Sequence, residues 1–167
     1  MRFFSTLTFL FIGISACFAR LSIALADENG STIAVVVGSS QNIEQLKLSA
    51  NELSLIYWRK QLYWPHGRRI KPVNLSSNQP LRLHFSHTIL GSLPKDQVDY
   101  WNGLYFNGVL PPHVVNSEEA MLRYVNQTSD SIGYINACKV DERVKPVFWI
   151  TGDTVTATKP NPLNCPN

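Results

Sequence analysis

Charge is scarce in this sequence, and so are the residue sets that make an enzyme recognisable. Asp, Glu, Lys and Arg make up only 16% of 167 residues, 15 basic against 12 acidic. There is no long run of one sign, so nothing in the charge calls for a nucleic-acid partner. The main basic cluster, Arg68-Arg69-Ile70-Lys71, is of the size that ordinarily forms a solvated loop. No glycine-rich phosphate loop, paired-carboxylate motif or nucleophile–base–orienter set occurs. Catalysis is therefore not expected, and no cofactor is implied. His84 and His87 have a spacing that can share a metal on a helix, but no third ligand accompanies them. Repeats and long low-complexity segments are missing too.

Only one strongly apolar stretch is present, Phe3 to Ile14, and it is too short for a comfortable transmembrane span. With Arg2 before it and Ala24-Leu25-Ala26 after it, residues 1–26 read as a secretory signal cleaved after Ala26. Ile14-Ser15-Ala16-Cys17 offers a rival reading as a lipoprotein box, with Cys17 as the lipidated terminus. The apolar Phe18–Ile23 stretch that follows is unlike the polar tether such an anchor needs. Cleavage after Ala26 leaves 141 residues, enough for one domain with its own core. Arg2 and Arg20 leave with the signal, so the remainder carries a formal charge of only +1. Cys138 and Cys165 also remain, and an even count in an oxidising compartment favours a disulfide over two unlinked thiols.

Strands and helices alternate along the rest. Residues 31–40 form a short continuous apolar run ended by Gly38, as in a strand buried on both faces. Ser49 and Glu52 make a capping box ahead of a helix from about Ala50 to Arg59. Residues 69–75 read as a second strand. Ser76-Ser77-Asn78 and Pro80 then open a helix whose apolar stripe is Leu81, Phe85 and Ile89, closed by Gly91. Further helices are predicted over 94–104, carrying Val98, Trp101 and Leu104, and over 116–125; "NGVLPPH" between them is irregular. Strands are predicted at 131–135 and 144–150, and 151–167 as a loose tail. The sum is an α/β domain with a central sheet, in which ligands sit beyond the carboxyl ends of the strands. Both Ser39-Ser40 and Ser76-Ser77-Asn78 are expected at that end.

Helix starts attract anions through free N–H groups and the helix dipole. For Ser76–Gln79 the plain alternative is helix capping with no ligand. For Arg82, one turn on, the plain alternative is a surface side chain. The aromatic pairs Tyr57-Trp58, Tyr63-Trp64, Tyr100-Trp101 and Tyr105-Phe106 are explained mostly by core packing, any exposed subset marking a partner surface.

Three segments in order resemble the phosphate ABC transporter substrate-binding protein family. In 48–75, Ile56, Lys60, Trp64, Gly67 and Pro72-Val73 match its helix–turn–strand, with Arg59 where a glycine is usual. In 116–135, Ile132-Gly133-Tyr134 matches its strand outright, and the helix from Gln79 to Leu90 falls between. The resemblance spans roughly residues 33–150. It implies one lobe of a type 2 periplasmic-binding-protein-like fold over 27–150, of the small single-lobe kind found in many Gram-negative bacteria. It also implies a periplasmic location and a phosphate or similar small oxyanion as ligand. Ser39, Ser40, Ser76, Ser77, Asn78 and Arg82 would be the donors. Partners would be ABC transporter membrane subunits, or a second copy in a homodimer that encloses the ligand. This chain departs from the family's Ser-Gly-Thr turn, having Ser77-Asn78-Gln79-Pro80 there, and Pro80 removes one N–H donor. That departure supports the other reading, an envelope scaffold or interaction module that kept the lobe and lost the ligand.

Overall fold

The computed structural model describes residues 32–42, 48–163 and 165. Residues 1–26, on which the secretory-signal reading rests, and Cys17 with the lipoprotein reading lie outside the described residues. Six strands form one mixed sheet: β1 (Ile33–Gly38), β2 (Lys71–Leu75), β3 (His113–Val115), β4 (Ser131–Asn136), β5 (Val144–Thr151) and β6 (Thr154–Thr156). Their order across the sheet is β3-β2-β4-β1-β5-β6. The α/β class read from the alternation of elements is the observed one. Every residue of β1 is buried, as its unbroken apolar run requires.

Helix α1 (Ala50–Tyr57) starts where the sequence marks it. Glu52 N–H donates to Ser49 Oγ at 3.2 Å, and Ser49 N–H donates back to Glu52 Oε2 at 2.8 Å. The helix stops before Arg59 because Arg59 adopts a left-handed backbone, φ 59°. That is the position where the family has glycine, the residue for which this conformation carries no steric cost. Arg59 Nη1 donates to Ile70 O at 3.2 Å, one local contact that offsets the cost.

Helix α2 (Pro80–Leu90) packs with α1 on one face of the sheet, and α4 (Glu118–Gln127) covers the other. The Ile132-Gly133-Tyr134 triplet of β4 explains both. Ile132 is core. A Cβ on Gly133 would collide with Met121 Sδ and lie 2.9 Å from Val125 Cγ2, so only glycine lets α4 approach. Tyr134 points the opposite way, stacked on Phe85 of α2 with ring centroids 4.0 Å apart and tilted against Tyr57 of α1. Its hydroxyl accepts from Leu75 N–H and donates to Asn74 Oδ1, both at 3.2 Å. It thus ties β4 to β2 beyond their last paired residues, Ile132 and Pro72.

Four expectations are corrected. First, β1 runs antiparallel to β4, whereas β2, β3 and β4 are parallel. Val37 lies across from Ile132, itself beside Pro72, so β1 ends where β2 begins. Second, the irregular stretch before residue 116 contributes strand β3, beginning at His113, which pairs with β2. Third, the stretch read as a loose tail turns back at Gly152 into β6, which pairs with β5, and a Cys138–Cys165 disulfide holds its far end. Fourth, the predicted helix over 94–104 opens as a 3-10 turn at Pro94–Gln97 before α3 (Val98–Tyr105), and α3 buries none of its residues. Among the described residues no helix is long and apolar enough to cross a membrane.

Candidate functional site

The site grows from the exit of β2. After Leu75, Ser76 N–H donates to Val115 O at 3.1 Å, and Ser76 Oγ donates to Asn116 Oδ1 at 2.9 Å. Gln79 Nε2 donates to Asn116 O at 2.6 Å. These bonds pin the turn to the end of β3 and turn the Ser76 and Gln79 side chains away from the helix they precede. Ser77 and Asn78, at the tip of the turn, remain exposed.

The capping reading fails here. Helix α2 has no side-chain cap, whereas Ser49 caps α1 and Ser117 caps α4. Pro80 occupies the first helical position and has no N–H to satisfy. Leu81 and Arg82 follow, and no backbone group among the described residues accepts from their N–H groups, whereas Leu83 N–H reaches Gln79 O at 3.0 Å. Two donors and the positive end of the helix dipole are left facing the turn.

The surface reading of Arg82 fails as well. Its relative exposure is 6%. Nη2 donates to Gln97 Oε1 at 3.4 Å, while Nε and Nη1 are buried without a hydrogen-bond partner. The ion pairs among the described residues use Arg68, Arg123, Lys139, Arg143 and His66, and Arg82 enters none of them. The acidic protons it does influence belong to Tyr134 and Tyr57. Burial pushes the Tyr134 hydroxyl above the usual tyrosine range, opposed by the charge of Arg82, by the Leu75 N–H and by the approach of the Arg82 guanidinium itself, which lies near this hydroxyl without a well-aligned bond to it. Burial and Tyr134 hold Tyr57 higher still, again opposed by Arg82. Both phenols therefore stay neutral and supply no counter-charge. A buried guanidinium without a carboxylate is costly, because desolvation is not offset by an ion pair. One turn along the same face, Ser86 Oγ is also buried and unpartnered.

Ser39 and Ser40 are elsewhere. Because β1 is antiparallel, they leave the sheet at the opposite end, so the expectation that both serine turns share one end is overturned. Ser39 N–H donates to Arg143 O at 3.0 Å. Ser40 lines a cavity of about 290 Å³ with Gln41, His66, Arg68 and Asp130. There the cation is already met, Arg68 Nε lying 2.8 Å from Asp130 Oδ2. Of the six donors expected, Ser76, Ser77 and Asn78 share the turn ahead of α2 and Arg82 lies one turn into that helix, but the Ser76 hydroxyl is already spent on Asn116. Sequence reasoning missed the free Leu81 N–H and the two acceptors that position these groups, Asn116 for the turn and Gln97 for Arg82. The helix start at Asn116 is readable in the sequence, but nothing local marks Gln97. His84 Nε2 lies 2.8 Å from Gly152 O and so engages the β5–β6 turn.

Solved structures of the same architecture exist. An ABC-type phosphate transport receptor from Vibrio cholerae superposes with a TM-score of 0.56 at 24% identity, over 70% of this chain and 46% of that one. The fold is that of part of this receptor. A phosphate-bound putative phosphate ABC transporter substrate-binding protein from Clostridium perfringens gives 0.55 at 17% identity, over 70% and 44%. A possible phosphate binding protein from Planctomyces limnophilus gives 0.52 at 13%, over 79% and 46%. The chain thus spans less than half the length of each. No protein-family model matches the sequence, and no curated protein is similar to it.

Proposed function

We propose that this chain is an extracytoplasmic solute-binding protein whose ligand is phosphate or a similar small oxyanion, held at the start of α2. The observation that carries the reading is Arg82: a buried guanidinium with two nitrogens lacking an aligned acceptor and no carboxylate, on the first turn of a helix whose Leu81 and Arg82 N–H groups are free. An oxyanion supplies the acceptors and the negative charge these groups lack. Ser77 and Asn78 would close over it from the tip of the turn. The likeness to phosphate-binding structures supports the choice of ligand class, and the sequence signal and disulfide support a periplasmic location. No catalytic role is assigned to any residue. A partner, either ABC transporter membrane subunits or a second copy, would help to enclose the anion.

A second reading, an envelope interaction module, is favoured by one feature. Tyr105, at the end of α3, and Phe106 and Leu110, just past it, are exposed, Phe106 at 87%. Thermal unfolding of the purified protein in phosphate, sulfate and chloride at matched ionic strength separates the two. An anion at about 100 times its dissociation constant adds roughly 2.7 kcal/mol. A rise specific to phosphate or sulfate supports the binding protein. A flat response in all three contradicts it and leaves the interaction module.

A further inference from the structure

Gln97 is almost wholly buried, 1% exposed, in the 3-10 turn that precedes α3. Its amide has a fixed orientation. Nε2 donates to Ser92 O at 2.8 Å, and a carbonyl can only accept, so the amide oxygen must face the other way. That oxygen takes two donors, Arg82 Nη2 at 3.4 Å and Trp101 Nε1 at 3.3 Å. A buried arginine is ordinarily met by a carboxylate. Here the residue in that place is the uncharged counterpart of glutamate, and its one oxygen is shared at long distance.

We propose that Gln97 is the positioning residue of the anion site: it orients Arg82 through a neutral acceptor and thereby leaves the charge of Arg82 for the ligand. This rests on the reading of the α2 start as an oxyanion site. A carboxylate at residue 97 would occupy the guanidinium as an internal counter-ion and compete with the ligand. A hydrocarbon there would free Nη2 and let the guanidinium turn.

The test uses Gln97→Glu and sulfate, which keeps its double charge between about pH 3.5 and 8, a range that reaches below the ordinary glutamate pKa. When ionised, the glutamate neutralises Arg82. When protonated, it reproduces the amide, its O–H donating to Ser92 O and its C=O accepting from Arg82 and Trp101. Sulfate affinity of Gln97→Glu, measured by calorimetry, is expected to fall at least about tenfold below wild type at pH 8 and to recover in part toward it at about pH 3.5, because pairing with Arg82 holds the glutamate ionised below the ordinary carboxyl range. Tyr57 and Tyr134 stay protonated throughout, and Asp96 and Asp99, beside Gln97 in the chain, are common to both proteins, so the wild-type profile subtracts them. Gln97→Met, which cannot titrate, is expected to weaken sulfate binding several-fold equally at both pH values, and it decides the matter if Gln97→Glu does not fold. Wild-type affinity in Gln97→Met, or a Gln97→Glu profile parallel to wild type, overturns the role of Gln97 while leaving the anion site standing. A wild-type protein that binds neither sulfate nor phosphate overturns the anion site and the role of Gln97 together.

Discussion

Replacing Arg82 by methionine should make the empty protein more stable while destroying its response to anions. The side chains have similar reach, but methionine is apolar and adaptable in a core. In the folded protein Arg82 leaves Nε and Nη1 buried without acceptors. Each such orphan donor costs about 1–3 kcal/mol, and more when charged. Against that, the substitution forfeits the bond to Gln97 Oε1, weak at its 3.4 Å length, and the approach to the Tyr134 hydroxyl, together worth about 1–2 kcal/mol. Gln97 keeps its bonds to Trp101 and Ser92, so no new orphan is created there. The balance favours Arg82→Met by about 1–4 kcal/mol in anion-free buffer, the range seen when buried ionic groups give way to apolar ones. For a domain of this size that corresponds to about 2–4 °C per kcal/mol in melting temperature. Urea unfolding in chloride alone, and again with phosphate or sulfate, reads both halves of the prediction. Wild type should gain from the oxyanion and Arg82→Met should not. An Arg82→Met protein that is clearly less stable than wild type without anions, yet gains equally from sulfate, would refute the reasoning: Arg82 would then be a structural residue with satisfied surroundings.

Other outcomes follow from single contacts. Gly133→Ala pushes a methyl into Met121 and Val125 and should cost about 1–3 kcal/mol as overpacking between α4 and β4, measured by urea unfolding; a neutral effect would mean that α4 does not sit this close. Tyr134→Phe keeps the stack on Phe85 but leaves Leu75 N–H without its acceptor, at a cost of about 1–3 kcal/mol, and should speed hydrogen exchange of that amide. Arg143 holds the carboxyls of Glu119 and Asp141 below their usual range, chiefly by direct hydrogen bonds. Depressed values stabilise the fold above the unfolded-state range and lose that contribution as pH falls through the lowered values, so Arg143→Gln should flatten the acid limb of a stability–pH curve below about pH 4.5. An unchanged acid limb would show the cluster to be fully screened.

What the sequence made legible was local. The Ser49–Glu52 capping box is contained in four residues and holds as read. The apolar run of β1 gives a buried strand, because hydropathy reports burial. It is silent on direction, which depends on partners roughly a hundred residues away, and that is why Ser39-Ser40 was placed at the wrong end of the sheet. The stripe Leu81, Phe85, Ile89 correctly located the inner face of α2, but the buried face is twice as wide. Its second line is Arg82, Ser86 and Leu90. Two of those three are polar, so periodicity read them as surface. A buried polar residue that violates the hydrophobic pattern is hidden from a method that relies on it. Strand β6 was missed for a related reason: its Thr, Gly and Asp content resembles a loop, and it is held by pairing with β5 and by a distant cysteine. Family likeness reached further than periodicity at Arg59 and Gly133, where the departure and the match each correspond to a backbone requirement.

The most direct test is a crystal structure of the protein grown with selenate, a tetrahedral oxyanion whose selenium is located by anomalous scattering. The account predicts a peak at the start of α2, with oxygens within hydrogen-bonding distance of Leu81 N–H or Arg82 N–H and of the Arg82 guanidinium. A peak only in the cavity beside Ser40 and Arg68, or none at the α2 start under saturating selenate, would contradict it.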